Sequence, residues 1–321
     1  MTNHHQSVMC EALINALVTD RHGLYVDATF GRGGHTQALL DVLASDAQVL
    51  ALDQDPLAIE YANVHFAKEP RLTVVHGSFM HLESVLQMRH SIGQVSGVMA
   101  DLGVSSPQLD QAERGFSFLR DGPLDMRMDS SQGMSACEWI NSASLQAISN
   151  VLYCFGEERY SRRIASAIVK ARDKAPIERT VELAQIVRDA HPRWPKHHHP
   201  ATRSFQAIRI FINQELDALQ ALLPQIKHVL RVGGRMAILS FHSLEDRIIK
   251  HFVQQDQSNP LPDYLPLTES QRLAAKGDHM RFISKVMIAD KAEIEQNPRA
   301  RSAKMRVAEK VGLVSLTDKK G

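Results

Sequence analysis

The chain lacks almost everything that would mark a secreted, membrane-bound or polyelectrolyte protein. Its 321 residues include 3 cysteines. Cys10, Cys137 and Cys154 are odd in number, widely spaced and without a Cys-x-x-Cys pair, which excludes a disulfide framework and points to a reducing cytoplasm. No stretch approaches the ~20 uninterrupted apolar residues of a membrane span. The opening Met1-Thr2-Asn3-His4-His5-Gln6 has no basic region followed by an apolar run, so no signal peptide is expected. Net charge is nearly absent too: 37 Lys and Arg against 36 Asp and Glu leave +1. Nucleic-acid affinity must then come from local basic faces rather than bulk charge.

What remains is an ordinary globular composition, 44% hydrophobic and 23% charged, long enough for one large domain or two modest ones. The stretch that organises it is Val26-Asp27-Ala28-Thr29-Phe30-Gly31-Arg32-Gly33-Gly34-His35. Residues 24–28 read as a short buried strand and 36–40 as the opening of a helix. The glycines between suit a tight corner where a nucleotide-like ligand lies against backbone. A strand ending on Asp53 supplies an acid 20 residues after Gly33, where a ribose-binding carboxylate is expected. The strict Gly-x-Gly-x-x-Gly fingerprint fails at Thr36, which argues against a dinucleotide. Acids at 27 and 53 resemble the S-adenosylmethionine site of Rossmann-like methyltransferases instead. A dehydrogenase or a purely structural turn stays open on these two strands alone.

An amphipathic helix over 7–18 precedes the first strand. Pro56 opens a helix over 57–66, and strands follow at 72–76 and 95–101. Strands alternating with helices predict a doubly wound parallel sheet, whose ligands gather beyond the strand C-termini, where 31–35, Asp53, Phe79 and Asp101 fall. After Asp101 comes a turn-rich stretch, 102–133, too long for an idle connection, and then a helical reading over 135–190. The predicted architecture is α/β, a doubly wound parallel sheet with a helical insertion. Residues 1–110 and 204–321 form the sheet domain, and 111–203 the insertion. Residues 204–223 read as one amphipathic helix, with Phe205, Ile208, Ile212, Leu216, Leu219 and Leu223 on one face. Strands are predicted at 235–240, 282–289 and 304–311.

Six motifs make the reading specific. They are Asp101-Leu102-Gly103-Val104-Ser105-Ser106-Pro107-Gln108-Leu109-Asp110, Gly115-Phe116-Ser117-Phe118, Gly122-Pro123-Leu124-Asp125-Met126-Arg127-Met128, His199-Pro200-Ala201-Thr202-Arg203, Phe241-His242-Ser243-Leu244-Glu245-Asp246-Arg247 and Asn297-Pro298-Arg299-Ala300-Arg301-Ser302. In this order, and spanning about residues 5–306, they resemble the MraW family of S-adenosylmethionine-dependent methyltransferases. The chain departs from that family at Ser7, where a proline is preferred. The resemblance implies a Rossmann-like class I methyltransferase sheet with a helical insertion domain, and methylation of a cytosine N4 amine in 16S RNA of the small ribosomal subunit, in its decoding-centre region. It also implies S-adenosyl-L-methionine as cofactor, the small subunit or its RNA as partner, no membrane, and leaves a homodimer open. Carried over by position, the cofactor contacts fall on Gly33, Gly34, His35, Asp53, Phe79, Asp101 and Gln108.

The chemistry suits these residues. Asp53 can accept both ribose hydroxyls, Phe79 can pack on the adenine face, and Asp101 offers negative charge to the cationic end of the cofactor. A cytosine amine is a poor nucleophile that must be aligned and must give hydrogen bonds to acceptors. Asp101, or a backbone carbonyl near Ser105 to Pro107, is the candidate acceptor. Ser105-Ser106-Pro107-Gln108 matches the Asp/Ser/Asn-Pro-Pro-aromatic motif of amino-methyltransferases only loosely. Methylation at cytosine C5 would want a cysteine nucleophile, and no Pro-Cys dipeptide occurs. The cysteines read as small buried apolar residues.

For RNA, the candidates are Phe116, Phe118 and Trp194 as stacking platforms, and His242 and Ser243 as contacts to the target base or its phosphate. Ser243 with Asp246 also reads as a helix capping box. His197-His198-His199 lacks the spaced partners of a zinc site, so no metal is expected. Arg193-Trp194-Pro195-Lys196, and the strip Arg299, Arg301, Lys304, Arg306 and Lys310, are candidate RNA surfaces. Two other readings are a nucleic-acid-binding regulator that senses the cofactor, and methylation of a DNA amine.

Overall fold

The structure is a computed structural model that describes residues 7–192, 199–258, 268 and 277–312. The chain divides into two compact units, one of residues 1–103 with 218–321 and the other of 104–217. The second contains the whole of 111–203.

The sheet unit begins with α1 (Cys10–Leu17), β1 (Leu24–Asp27), α2 (Gly34–Val42), β2 (Gln48–Asp53), α3 (Pro56–His65), β3 (Leu72–His76), α4 (Leu82–Met88) and β4 (Val95–Asp101). Strand runs such as Val49-Leu50-Ala51-Leu52 are apolar without alternation because a parallel strand is covered on both faces. One face, carrying Val26, Leu50, Leu52, Val98 and Ala100, packs on Leu82 and Leu86 of α4. The other, carrying Tyr25, Val49 and Met99, packs on Leu13 and Leu17 of α1 and Leu39 and Leu40 of α2. Helix α3 starts where Asp55 caps it, accepting from Leu57 N at 3.0 Å, with Pro56 supplying a first residue that needs no donor.

The helical unit holds α5 (Ser106–Asp110), α6 (Ala136–Ser142), α7 (Leu145–Gly156), α8 (Ser161–Arg172), α9 (Thr180–Ala190) and α10 (Thr202–Ile212). Its core is built from Ile140, Ile148, Leu152, Ile164, Ile168, Leu183, Val187 and Ile208, all fully buried. The turn-rich stretch before α6 is a folded clasp. Arg127 forks onto Asp125 (2.9 and 2.7 Å), and the buried Arg114 donates to the carbonyls of Arg127 and Met128 (3.1 and 2.9 Å).

The expected single helix over 204–223 is two. Helix α10 ends at Ile212, Gln214 takes a left-handed φ of 50°, and α11 runs Glu215–Val229. Asn213 sets the break: its amide donates to Met126 O and its carbonyl accepts from Met128 N, both at 2.7 Å.

The chain then completes the sheet unit with β5 (Leu230–Ser240), α12 (Ser243–Ser258), β6 (His279–Phe282), β7 (Met287–Ile288), α13 (Lys291–Gln296) and β8 (Lys304–Val311). Strand β5 starts five residues before the expected Arg235. The Gly233-Gly234 pair lies inside it, where the register against β4 slips: Val95 meets Leu230, but Gly97 meets Arg235. The strand expected at 282–289 is two short pieces. The sheet order is β3-β2-β1-β4-β5-β8-β6, with β7 also on β8. Strands β1 to β5 are parallel, and β8 alone runs against both of its neighbours in that order. Among the described residues, no helix is long and apolar enough to cross a membrane.

Candidate active site

Parallel strands bring their C-terminal ends to one edge, so Asp27, Asp53 and Asp101 end β1, β2 and β4 side by side. The corner after β1 is pinned from several directions. Thr29 N and Thr36 Oγ1 donate to the two oxygens of Asp27 (3.0 and 2.6 Å), and Asp101 N donates to Thr29 Oγ1 (2.6 Å). Asp27 is sealed at 1% exposure, so it braces the loop and offers no oxygen to a ligand. Sequence reading placed it at the cofactor and gave Thr29 no part; a hydroxyl just beyond a strand end was the available signal.

The glycines divide the work. Gly33 caps α2 with φ 71°, and a Cβ there would lie 2.7 Å from the Phe66 ring and 2.8 Å from Phe30. A Cβ on Gly34 would run into Ser7. These two are glycines because protein fills the space. Gly31 differs: its φ is 57°, no described residue lies within 4 Å of where its Cβ would be, and its N–H donates to Asp53 Oδ2 at 2.6 Å. The bare backbone expected of the motif is therefore at Gly31.

Asp53 accepts that bond and one from Asp55 N (2.8 Å), yet burial, helped by Asp55 and Asp27, pushes its carboxyl up to about 6. Asp101 is also pushed up to about 6 by burial. His35 opposes the rise, while Asp27 and Glu245 add to it. Asp101 Oδ1 is fully shielded and, among the described residues, has no hydrogen-bond partner, while Oδ2 lies 3.6 Å from Nδ1 of His35. His35 is itself 7% exposed, with Nε2 3.0 Å from Val8 O. Phe79 begins a 3-10 turn after β3, half-buried against the sheet core.

At the end of β5 the cap is shifted from the expected Ser243–Asp246 pair. Glu245 accepts from Phe241 N and His242 N (2.8 and 3.3 Å), and His242 Nδ1 accepts from Glu245 N at 3.4 Å. His242 keeps only 10% of its side chain open, while Ser243 is exposed. Asp246 pairs instead with Arg306 and, at 3.4 Å, Lys304. Lys310 is buried on Leu230 O (2.8 Å). Of the basic strip, Arg306 and Lys310 are thus spent inside the protein, while Arg301 and Lys304 are exposed.

In the helical unit, Ser105 and Gln108 form a capping box around Pro107. Gln108 is buried and accepts from Ser105 N at 2.9 Å. Phe116 is 6% exposed in the core, which corrects its reading as a stacking platform: a buried ring has no face to give a base. Phe118 is half-buried between His199 and Phe205, both at 4.8 Å. Trp194, the basic residues beside it, and His197-His198 lie outside the described residues. Cys10 and Cys137 have thiols raised by burial, and Cys154 is exposed on α7, correcting its expected burial.

A parallel sheet of order 3-2-1-4-5 finished by one reversed strand, with a glycine corner after β1 and acids ending β2 and β4, defines the class I methyltransferase fold. Residues 2–311 match the MraW methylase family, and the chain belongs to it. It is 50% identical over 308 residues to the ribosomal RNA small subunit methyltransferase H of Acinetobacter baylyi, a span of 96% of this chain and 99% of that one. To the protein of the same name from Idiomarina loihiensis it is 51% identical over 308 residues, 96% of this chain and 97% of that one. The cofactor is S-adenosyl-L-methionine. The residues fit it: the edge has open backbone at Gly31, an unpartnered buried oxygen on Asp101, and two carboxyls driven up by burial and like charge. A ligand bearing sulfonium and ammonium charge relieves both.

Proposed function

We propose that this methyltransferase modifies the exocyclic N4 amine of a cytidine in small-subunit ribosomal RNA, in the decoding-centre region, and works in the cytoplasm. The observation that carries the reading is Asp101, a carboxylate at the end of β4 whose side chain stays 31% exposed. An amine that gains a methyl group must give up a proton, and Asp101 is an acceptor free to take it.

Asp53 would hold the ribose hydroxyls, its free lone pairs remaining after the bonds from Gly31 and Asp55. Gly31, Gly33 and Gly34 would form the backbone cradle, Phe79 would flank the adenine, and Gln108 would add a polar contact. The cofactor supplies an electrophilic methyl group on a cationic sulfur. Asp101 would then receive the target's N–H, with Ser105 or Pro107 carbonyls as further acceptors. An attack through carbon would need a thiolate, and the half-buried Cys10 and Cys137 thiols are pushed away from that form. The 104–217 unit would recognise the RNA, with Phe118 and Trp194 as candidate contacts, and His242 and Ser243 are candidate contacts on the sheet unit. The relatives' names supply the ribosomal substrate.

The test is transfer of labelled methyl from S-adenosylmethionine to small ribosomal subunits, free ribosomal RNA and duplex DNA. Label is expected in subunits or their RNA, reduced about 10²–10⁴-fold by Asp101→Ala. Label confined to DNA would replace the substrate. Cofactor binding without any transfer would make the chain a sensor.

A further inference from the structure

Asp27, Asp53 and Asp101 are not the only charged groups at the strand ends. Asp101 pairs with Leu239, Leu239 with Met305, and Met305 with Met287, so one row of residues crosses from β4 through β5 and β8 to β7. At about 4.8 Å per strand, the row places Met287 about 14 Å from Asp101. One residue further out, Ser240 ends β5 opposite Lys304, and Lys304 faces Ile288. The far end of the row therefore stands on the same edge as the candidate site.

That end is basic. Residues 283–304 carry Lys285, Lys291, Arg299, Arg301 and Lys304 against Asp290, Glu293 and Glu295, a balance of +2 where the whole chain has +1. Lys285, Lys291, Arg301 and Lys304 are exposed, and each lies within three residues of the Met287–Met305 or Ile288–Lys304 pair. Among the described residues, the side chains of Lys285, Lys291 and Arg301 make no hydrogen bond or ion pair. Lys304 reaches Asp246 at 3.4 Å and keeps 46% of its side chain open. Two of the acids are engaged: Asp290 caps α13 by accepting from Glu293 N at 2.8 Å, and Glu293 accepts from Met9 N. Between the cations, Ile288 is 68% exposed and Val286 41%. Lysine on an edge strand also guards against pairing with another chain. Lys291 and Arg301 lie on no strand, so that role does not account for them.

Resting on the reading of ribosomal RNA as substrate, we propose that Lys285, Lys291, Arg301 and Lys304 form a phosphate-binding surface for the RNA strand beside the target nucleotide. Cations without an internal partner lose nothing by turning to a phosphate, and they release the counterions condensed on it. Such contacts fix position along the strand and carry no sequence information, so choice of the base stays with the candidate site. Ile288 and Val286 supply apolar contact to a ribose or a base between the phosphates. A local surface of this kind also gives a chain of nearly zero net charge its hold on RNA.

The test is binding of small-subunit ribosomal RNA over a range of salt by the full chain and by a triple variant, Lys285→Ser, Lys291→Ser and Arg301→Ser. The control is Lys68→Ser with Arg89→Ser, two exposed cations that precede β3 and β4. RNA affinity of the triple variant should fall about 10-fold or more, and the slope of log K against log salt should lessen by about 2, at about 0.7 per single-strand phosphate. The control should move neither. Cofactor Kd should change less than about 2-fold in both, because about 14 Å exceeds the screening length. Unchanged affinity and slope in the triple variant overturn the proposal, and so does an equal loss in the control. Weakened binding to assembled subunits with binding to free RNA kept also overturns it, the surface then meeting a ribosomal protein. If the triple variant fails to bind cofactor, Arg301→Glu alone decides, with an expected loss of RNA affinity of about 3-fold or more. Methyl transfer to DNA alone would sink the reading of the substrate, whereas transfer to RNA with an unaltered salt slope in the triple variant would sink only the surface.

Discussion

Asp53 and Asp101 are the two residues on which affinity and chemistry divide. Asp53→Asn removes the charge that receives the Gly31 and Asp55 N–H groups and would hold the ribose. Charge-assisted hydrogen bonds are worth about 1.5–3 kcal/mol, so the cofactor KM is expected to rise about 10- to 100-fold with kcat at saturation nearly kept. Equal losses in both constants would contradict that division. Asp101 also ties stability to pH. Its carboxyl is raised in the fold from 3.8 to about 6, so the folded state binds a proton that the unfolded chain does not hold until below about pH 4. The stabilisation is complete below that pH and is lost as pH rises through about 6. The most it can be worth is about 3 kcal/mol, and solvent reduces that because 31% of the side chain is exposed. Asp101→Asn, neutral throughout, should therefore gain on the unaltered protein in melting temperature between pH 4 and 8, most at pH 8. Parallel melting curves would refute this. At this scale sequence showed the acids but not their surroundings. Asp27, Asp53 and Asp101 each end a strand, and only the fold reveals that Thr29 and Thr36 seal the first while the others face open backbone and an imidazole.

Among the elements, the corner from β1 to α2 shows how one motif serves packing and ligand together. Gly33→Ala puts a methyl group into the Phe66 and Phe30 rings at a left-handed φ, and should cost about 1–3 kcal/mol of stability. Gly31→Ala meets no neighbour, and carries only the strain of its φ, about 1 kcal/mol. Its methyl group would sit on the open face, so cofactor affinity should fall more than stability does. Thermal melting and cofactor titration of the two variants check the contrast; equal loss of affinity in both would place the cofactor elsewhere. The parallel strands were legible because burial on both faces writes them as apolar runs. The break between α10 and α11 was not, because the apolar face continues unbroken through Ile212, Leu216 and Leu219. What interrupts it is Asn213, reaching a loop some 85 residues earlier in the chain. The cap of α12 was misplaced by one residue for a similar reason. His242–Glu245 and Ser243–Asp246 are both spaced by three, and Arg306 claims Asp246 from 60 residues away.

For the whole molecule, two compact units with separate cores accompany a chain that departs after Gly103 and returns at Ala218. The 50% identity to relatives over nearly the full length and the six ordered motifs agree on one enzyme family. Composition alone, with a net charge of +1, gave no hint of an RNA substrate. Because Gly31, Gly33, Gly34, His35, Asp53 and Asp101 all belong to the sheet unit, cofactor at 100 times its Kd should stabilise that unit by about 2.7 kcal/mol. Hydrogen exchange would read this as slowed opening of β1, β2 and β4 amides, and protection confined to α6–α9 would contradict it. The central claim concerns which atom receives the methyl group, and nucleoside mass spectrometry tests it directly. Small ribosomal subunits incubated with the enzyme and labelled S-adenosylmethionine are digested to nucleosides and separated. The account predicts label in N4-methylcytidine, absent with Asp101→Asn; label in 5-methylcytidine, in a ribose-methylated nucleoside or in any base other than cytosine would contradict it.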